Sequence, residues 1–98
     1  MRDPKILNEV KSSLARLAEL YPGKAIEVRI PPYAAVQCGE GPKHTRGTPA
    51  NVIEMDAQTW LQLVAGKTSW SDAYDAGLIS ASGVRADLSH LLPFAEKS

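Results

Sequence analysis

A nucleophile and base pair in this 98-residue chain would require its one cysteine, Cys38, or a serine close to His44 or His90. Cys38 and His44 flank a loop rich in glycine and proline, so the sequence neither fixes nor excludes contact between them. Thiolate chemistry also needs a nearby cation that lowers the pKa of the cysteine. We favour the alternative that Cys38 is a small buried hydrophobic side chain in a strand. His90 is interpreted as an exposed or capping side chain.

Metal and nucleotide binding have no support in the sequence. Zinc sites need three or four ligands at short regular spacings, and one Cys with two separated His provides no CxxC or HExxH pattern. The chain also lacks GxGxxG and GxxxxGK[ST]. Asp72 and Asp75 share a predicted helix, and we interpret them as structural because Asp72 lies where it favours the helix dipole. We therefore expect no catalysis, no cofactor and no metal.

The charge of the chain is balanced, with 11 Lys and Arg against 11 Asp and Glu. This balance argues against a nucleic-acid partner, because phosphate contacts need a clustered excess of cations. Lys43, His44 and Arg46 form a local basic group, which is either a solvated loop or a contact for an anion or lipid headgroup. No apolar run approaches the ~20 residues of a membrane span. A cytoplasmic protein with no integral membrane segment is expected.

The length of the chain predicts one domain, residues 1–98, with a thin core. Its first element is an amphipathic helix that begins at Asp3 and Pro4, an N-cap residue followed by a proline in the first turn. Apolar residues then recur every three or four positions. The helix is predicted to end at Pro22 and Gly23.

A strand follows, because residues 26–30 alternate between apolar and charged side chains. Pro31 and Pro32 interrupt its ladder, since neither has a backbone donor. The continuation, residues 33–38, is either a bent extension of that strand or a separate strand near an edge, and we favour the bend. Residues 39–49 are predicted to form a long exposed connection.

The second half of the chain alternates strands and short helices. The predicted elements are, in order, a strand over 51–55, a helix from the cap Asp56 to Gly66, a helix from the cap Ser69 to Gly77, a strand over 78–82 and a helix over 84–92. This order predicts an α+β fold, with a mainly antiparallel sheet covered by helices.

Most large apolar side chains lie on these short helices, where they either fill the core or line an apolar cleft between helices and sheet. The candidates for the wall of such a cleft are Val36, Val52, Ile53, Trp60, Leu63, Val64, Trp70, Tyr74, Ile79, Leu88, Leu91 and Leu92. From charge alone, the candidates for contact with a ligand headgroup or anion at its mouth are Arg29, His44, Arg46 and Arg85.

The stretch NVIEMDAQTWLQLVAGKTSWSDAYDAGLISASGVRADLSHLLPF resembles the C-terminal half of the sterol carrier protein type-two superfamily. Asp56, Gly66 with Lys67, Gly77 and Gly83 fall in the order and spacing of that family. The preceding EVRIPPYAAVQCGEGPKHTRGTP resembles short bacterial sterol carrier family proteins. The resemblance implies a sterol-carrier-like α+β fold that encloses an apolar tunnel for sterols, fatty acyl chains or similar lipids and does not alter them.

Three hypotheses of function follow. The first is noncatalytic binding or transfer of an apolar ligand, a sterol, fatty acid or acyl lipid, in a pocket between sheet and helices. The second is an interaction or accessory domain with a filled core that docks on a partner enzyme or forms a homodimer, which zero net charge permits. The third is a small enzyme that uses Cys38 and His44. The first needs an open apolar space and the second does not.

Overall fold

The computed structural model describes residues 3–41 and 51–94. Its elements in chain order are α1 (Pro4–Leu20), β1 (Ile26–Ile30), β2 (Ala34–Cys38), β3 (Asn51–Glu54), α2 (Ala57–Ala65), α3 (Trp70–Asp75) and β4 (Ser80–Ser82). Lys43, His44 and Arg46, with most of the predicted connection 39–49, lie outside the described residues. Within the described part of the chain, no helix has both the length and the apolar character needed to cross a bilayer.

The three helices begin at the predicted caps. The Asp3 carboxylate accepts from the Lys5 amide at 2.9 Å, and the Asp56 carboxylate accepts from the Thr59 amide at 2.8 Å. Ser69 Oγ accepts from the Asp72 amide at 3.1 Å. These side chains satisfy amide groups that the first turn of each helix leaves without an internal partner. The predicted helix starts are therefore confirmed.

The predicted bend after β1 is wrong, because residues 31–33 form a reversing turn. The Tyr33 amide donates to the Ile30 carbonyl at 2.8 Å, and β2 then pairs antiparallel with β1, with Val28 opposite Val36. The two prolines cannot donate to a neighbouring strand, so they suit the turn rather than a continued strand. The alternative of a separate edge strand is the one that the structure adopts.

The four strands form one mixed sheet in the order β2-β1-β3-β4. β1 pairs with β2 and β3 pairs with β4 in antiparallel orientation, whereas β1 and β3 run parallel. A parallel pair needs a long crossover connection, and here the connection consists of β2 and the chain that follows it. The predicted α+β class with a mostly antiparallel sheet is confirmed.

The helices cover one face of this sheet. Val28 and Ile53, which are register partners, are buried on that face together with Leu14 of α1 and Trp60 of α2. Successive side chains of a strand point to opposite faces of the sheet, so Glu27 of β1 and its register partner in β3, Val52, lie on the outer face. That outer face carries Glu27, Arg29, Val52, Glu54, Ser80 and Ser82. The core is therefore a single layer between sheet and helices.

The last predicted helix, residues 84–92, is wrong, because the chain there forms turns. The Arg85 amide donates to the Asn51 side chain at 2.9 Å, and the Ser89 amide donates to the Asp87 carboxylate at 2.8 Å. Such side-chain acceptors compete with helical carbonyls for the same amides. Leu88 is nevertheless fully buried, so the segment still contributes to the core.

Candidate functional site

An open groove, which we call the α1–α2 groove, runs between the two longer helices and has a volume of about 660 Å³. Its lining residues are Asn8, Glu9, Ser12, Ser13 and Arg16 of α1, Leu61, Val64 and Ala65 of α2, and Lys67 and Phe94. Leu61, Val64 and Phe94 give it an apolar surface, while Arg16 and Lys67 add cations. No strand residue lines this groove, so it lies between helices rather than between helices and sheet.

Trp60 connects this groove to the core. Its indole Nε1–H donates to Ser13 Oγ at 2.8 Å, which ties α2 to α1. The Ser13 hydroxyl in turn donates to the Glu9 carbonyl at 2.8 Å. The Trp60 ring also packs against the ring of Phe94, with centroids 5.9 Å apart and planes tilted by 60°. The walls of the groove are therefore fixed by packing and by hydrogen bonds to neighbouring elements.

A second groove, which we call the α3 groove, has a volume of about 640 Å³. Its lining residues are Gly66, Lys67, Thr68, Ser69, Trp70, Ser71, Asp72, Asp87, Ser89, Leu92 and Pro93. The set combines the hydroxyls of Thr68, Ser69, Ser71 and Ser89 and two carboxylates with the apolar side chains of Trp70, Leu92 and Pro93. Lys67 lines both grooves.

The predicted wall residues fall into three groups: residues in the core, residues that line a groove, and residues in neither place. Those in the core pack against one another and occupy the space between sheet and helices. They are Ile53, Trp60, Leu63, Ile79 and Leu88, all buried, with Val36 and Leu91 half-buried against them. Val64 lines the α1–α2 groove, and Trp70 and Leu92 line the α3 groove. Tyr74 is exposed and Val52 lies on the outer face of the sheet.

Of the predicted headgroup cations, the two that the structure describes, Arg29 and Arg85, do not line the α1–α2 groove. Arg29 is on the outer face of the sheet, where its Nε donates to the Glu27 carboxylate, and this hydrogen bond raises the pKa of Arg29. Arg85 is exposed near Gly41. His44 and Arg46 are outside the described residues. The cations that line the groove, Arg16 and Lys67, were missed by the sequence reasoning.

Two signals could have identified those cations. Arg16 lies three residues after Ser13, so one helix face presents both beside the apolar stripe of α1. Lys67 directly follows Gly66, whose positive φ of 78° ends α2 and turns the chain. Arg16 and Lys67 line one groove only because α1 and α2 pack side by side, and local sequence patterns do not specify that packing.

Cys38 is fully buried in β2, which confirms the interpretation of it as a small core side chain. Burial raises the pKa of its thiol from 9.0 to about 11. Such a thiol is a poor nucleophile near neutral pH. Among residues 3–41 and 51–94, no three His, Cys, Asp or Glu side chains are placed to share a metal ion.

We expect iodoacetamide at pH 8 to alkylate Cys38 about 100-fold more slowly in the folded protein than in urea, because the raised pKa leaves far less thiolate. Stability should also fall as the pH rises from 9.0 towards about 11, since only the unfolded chain ionises its thiol in that range. Mass spectrometry of timed samples measures the first effect, and urea titrations at two pH values measure the second. Equal alkylation rates in both states would contradict the burial of the thiol.

The fold places the chain among two-layer α+β domains in which helices cover one face of a mixed sheet. A family model described as a bacterial SCP ortholog matches residues 3–94. The chain therefore belongs to this family of bacterial sterol carrier proteins, which confirms the resemblance drawn from its residues. A search of curated proteins found no match.

Proposed function

We propose that this domain binds and carries a single-chain apolar ligand in the α1–α2 groove without changing it covalently. The observation that carries the proposal is an open, mainly apolar groove of about 660 Å³ in a chain of the bacterial sterol carrier family. Full burial of one methylene contributes about 0.8 kcal/mol, so about 6 kcal/mol is the upper bound for eight methylenes, and an open groove that covers part of the chain contributes a fraction of this before the cost of association is subtracted.

The groove is a better ligand site than the space between sheet and helices. Trp60, Leu63 and Leu88 fill that space and are at most 1% exposed. A ligand there would have to displace packed side chains, and packed interiors resist such changes. The α1–α2 groove is already open, and the half-buried Leu61 and Phe94 offer an acyl chain apolar contact without rearrangement of the core.

Filling the groove should weaken binding. Ala65 is exposed and lines the groove, so Ala65→Trp places an indole in it without entering the core. We expect at least a tenfold loss of affinity for cis-parinaric acid, a fluorescent fatty acid, because the lost apolar contact exceeds 1.4 kcal/mol. Fluorescence titration measures the affinity.

Ala15→Trp is the matched control, because Ala15 is an exposed alanine of α1 that does not line the groove. It should bind like the wild type. Native mass spectrometry of freshly purified protein should also show retained lipid in wild type and Ala15→Trp only. Equal binding by all three proteins would place the site elsewhere, and no binding by wild type would contradict the proposal.

The docking hypothesis is favoured by one observation. Tyr74, Leu78 and Val84 are 51%, 49% and 101% exposed, which is unusual for large apolar side chains grouped in one stretch of chain. A partner or a second copy that covers them would gain apolar burial. The same native mass spectra discriminate between the two functions, since a ligand-free dimer supports docking and a lipid-bearing monomer supports carriage.

A further inference from the structure

β4 is an edge strand, since the strand order of the sheet is β2-β1-β3-β4. Within residues 3–41 and 51–94, no strand pairs with its outer side. An edge strand presents unpaired N–H and C=O groups, which are a template for a further strand. β4 has three residues, Ser-Ala-Ser, so an added strand would be short. It contains neither a charged residue nor a proline, which many edge strands use to prevent such pairing.

The register of the sheet shows which backbone groups of β4 face outward. The Met55 amide donates to the Arg29 carbonyl at 3.2 Å, so odd-numbered residues along β3 direct their N–H and C=O groups to β1 and even-numbered ones to β4. Opposite residues of an antiparallel pair alternate between those that exchange hydrogen bonds and those that do not. The middle residue of β4, Ala81, is opposite Ile53 and is therefore in a pair without hydrogen bonds. The N–H and C=O of Ala81 point away from β3.

An open groove of about 390 Å³, which we call the β4 groove, follows this edge. Ala81 lines it and is only half-buried, so the edge is accessible there. α3 contributes Trp70, which is half-buried, and Tyr74, which is 51% exposed. Ala81 shares the helix-covered face of the sheet with its partner Ile53. Because opposite residues of paired strands point to the same face, a residue that pairs with Ala81 would direct its side chain towards α3.

The described charged residues that line the β4 groove are both acidic. They are Asp75, the last residue of α3, and Asp87, and both are exposed. Hydrogen bonds from the side chain and backbone of Ser89 lower the pKa of Asp87, so this carboxylate is ionised at neutral pH. The side chain of Arg85 lies near Gly41 instead of lining the groove. Carboxylates beside aromatic rings favour a cationic side chain, through opposite charge and cation–π attraction.

We propose that the open edge of β4 binds an extended basic segment of another protein, which adds to the sheet as a further strand and places a lysine or arginine side chain beside Tyr74, Asp75 and Asp87. Hydrogen bonds to Ala81 require an extended backbone, and the two carboxylates select the cation. This inference goes beyond carriage of a ligand, because the β4 groove and the α1–α2 groove share no lining residue.

A second copy of this chain suits the edge less well. Two β4 strands that pair about a two-fold axis at Ala81 would bring Asp75 and Asp87 of each copy towards those of the other. Like charges placed opposite each other disfavour such an interface. A basic segment meets the same carboxylates with opposite charge, so the charge of the groove favours it as the occupant.

Amide hydrogen exchange of the whole protein, followed by NMR, tests whether the edge is open. The Ala81 amide should exchange about tenfold faster than the amides of Ser80 and Ser82, because only those two are bonded to β3. A saturating concentration of the peptide acetyl-VTKTV-amide should slow the exchange of Ala81. Slow exchange of Ala81 without peptide would mean that the edge is already covered, and would overturn the proposal.

Modified peptides test the pairing and the charge, with affinities measured from the NMR shift of the Ala81 amide. Methylation of the lysine backbone nitrogen should weaken binding about tenfold, since it removes the N–H that donates to the Ala81 carbonyl. The same methylation of the preceding threonine is the matched control, because in an antiparallel pair that N–H points away from β4. Norleucine in place of the lysine should weaken binding about fivefold, since it keeps the apolar stem and removes the charge.

Protein variants assign the surface. Ala81→Pro removes the outward N–H and should weaken peptide binding at least about tenfold, and proline is tolerated where an edge N–H faces solvent. If this variant does not fold, the methylated peptides test the same contact in wild type. Asp75→Asn should weaken the lysine peptide about threefold and leave the norleucine peptide unchanged. Its control is Asp72→Asn in the same helix, since Asp72 does not line the β4 groove.

The outcomes separate this inference from the proposed function. Asp75→Asn should bind cis-parinaric acid like wild type, because Asp75 does not line the α1–α2 groove. If no peptide binds, or if both methylated peptides bind like the parent, strand addition is wrong while carriage stands. Equal binding of the lysine and norleucine peptides would overturn the selection of a cation. A dimer that sediments in wild type and dissociates in Ala81→Pro would show that a second copy occupies the edge, contrary to the proposal.

Discussion

Trp60→Ala is expected to lower the free energy of unfolding by about 3–5 kcal/mol, the range found when a buried large aromatic side chain is truncated. Trp60 is fully buried, packs on Phe94 and donates its indole N–H to Ser13 Oγ across the interface of α1 and α2. The substitution leaves a cavity between the helices and removes this hydrogen bond at the same time. Urea denaturation followed by circular dichroism at 222 nm measures the change.

Two control variants separate the cost of the cavity from the cost of the lost hydrogen bond. Trp70→Ala removes a side chain of the same size that is only half-buried, so its cost should be clearly smaller. Ser13→Ala removes the acceptor of the indole N–H without a cavity, and should cost about 1–3 kcal/mol, the penalty for an unpaired buried donor. A Trp60→Ala loss no greater than that of Trp70→Ala would contradict the placement of Trp60 at the centre of the core.

The helices and the first strand could be predicted because their signals are local. Asp3, Asp56 and Ser69 each cap a helix within their own first turn, and residues 26–30 alternate because one face of β1 is buried. The last predicted helix failed for a nonlocal reason. Asn51, more than thirty residues away in the sequence, takes the Arg85 amide, and no periodicity within residues 84–92 contains that information.

The candidate site was less predictable than the fold. Trp60, Val64 and Trp70 are all apolar residues of short helices, yet Trp60 is fully buried, Val64 is buried at the edge of the α1–α2 groove, and Trp70 is half-buried and lines the α3 groove. Val52 was assigned to the wall of a cleft, whereas its register with Glu27 places it on the outer face of the sheet. Composition identifies which side chains prefer burial, but packing decides whether they close on one another or leave a groove.

Gly23→Ala is expected to cost about 3 kcal/mol or more, because it combines a strained backbone with a backbone clash. Gly23 has φ of 138°, a conformation that side chains rarely adopt. A Cβ there would overlap the carbonyl group of Gly39. That carbonyl accepts from the Ala25 amide at 3.0 Å, and the Gly39 amide donates to the Tyr21 carbonyl at 2.7 Å. The clash therefore disturbs the contact that joins the start of β1 to the end of β2.

Gly77→Ala separates the two causes, since Gly77 also has a positive φ, of 76°, but an added Cβ would meet no atom within 4 Å. It should cost only the backbone strain of about 1–2 kcal/mol. Urea denaturation of both variants measures the difference, which reports the close approach of Gly23 to Gly39 together with the greater backbone strain at φ of 138° than at 76°. Equal losses would mean that the chain around Gly39 moves away without cost. A larger loss for Gly23→Ala would support the close packing of the α1–β1 connection against the end of β2, where Gly39 exchanges backbone hydrogen bonds with Tyr21 and Ala25.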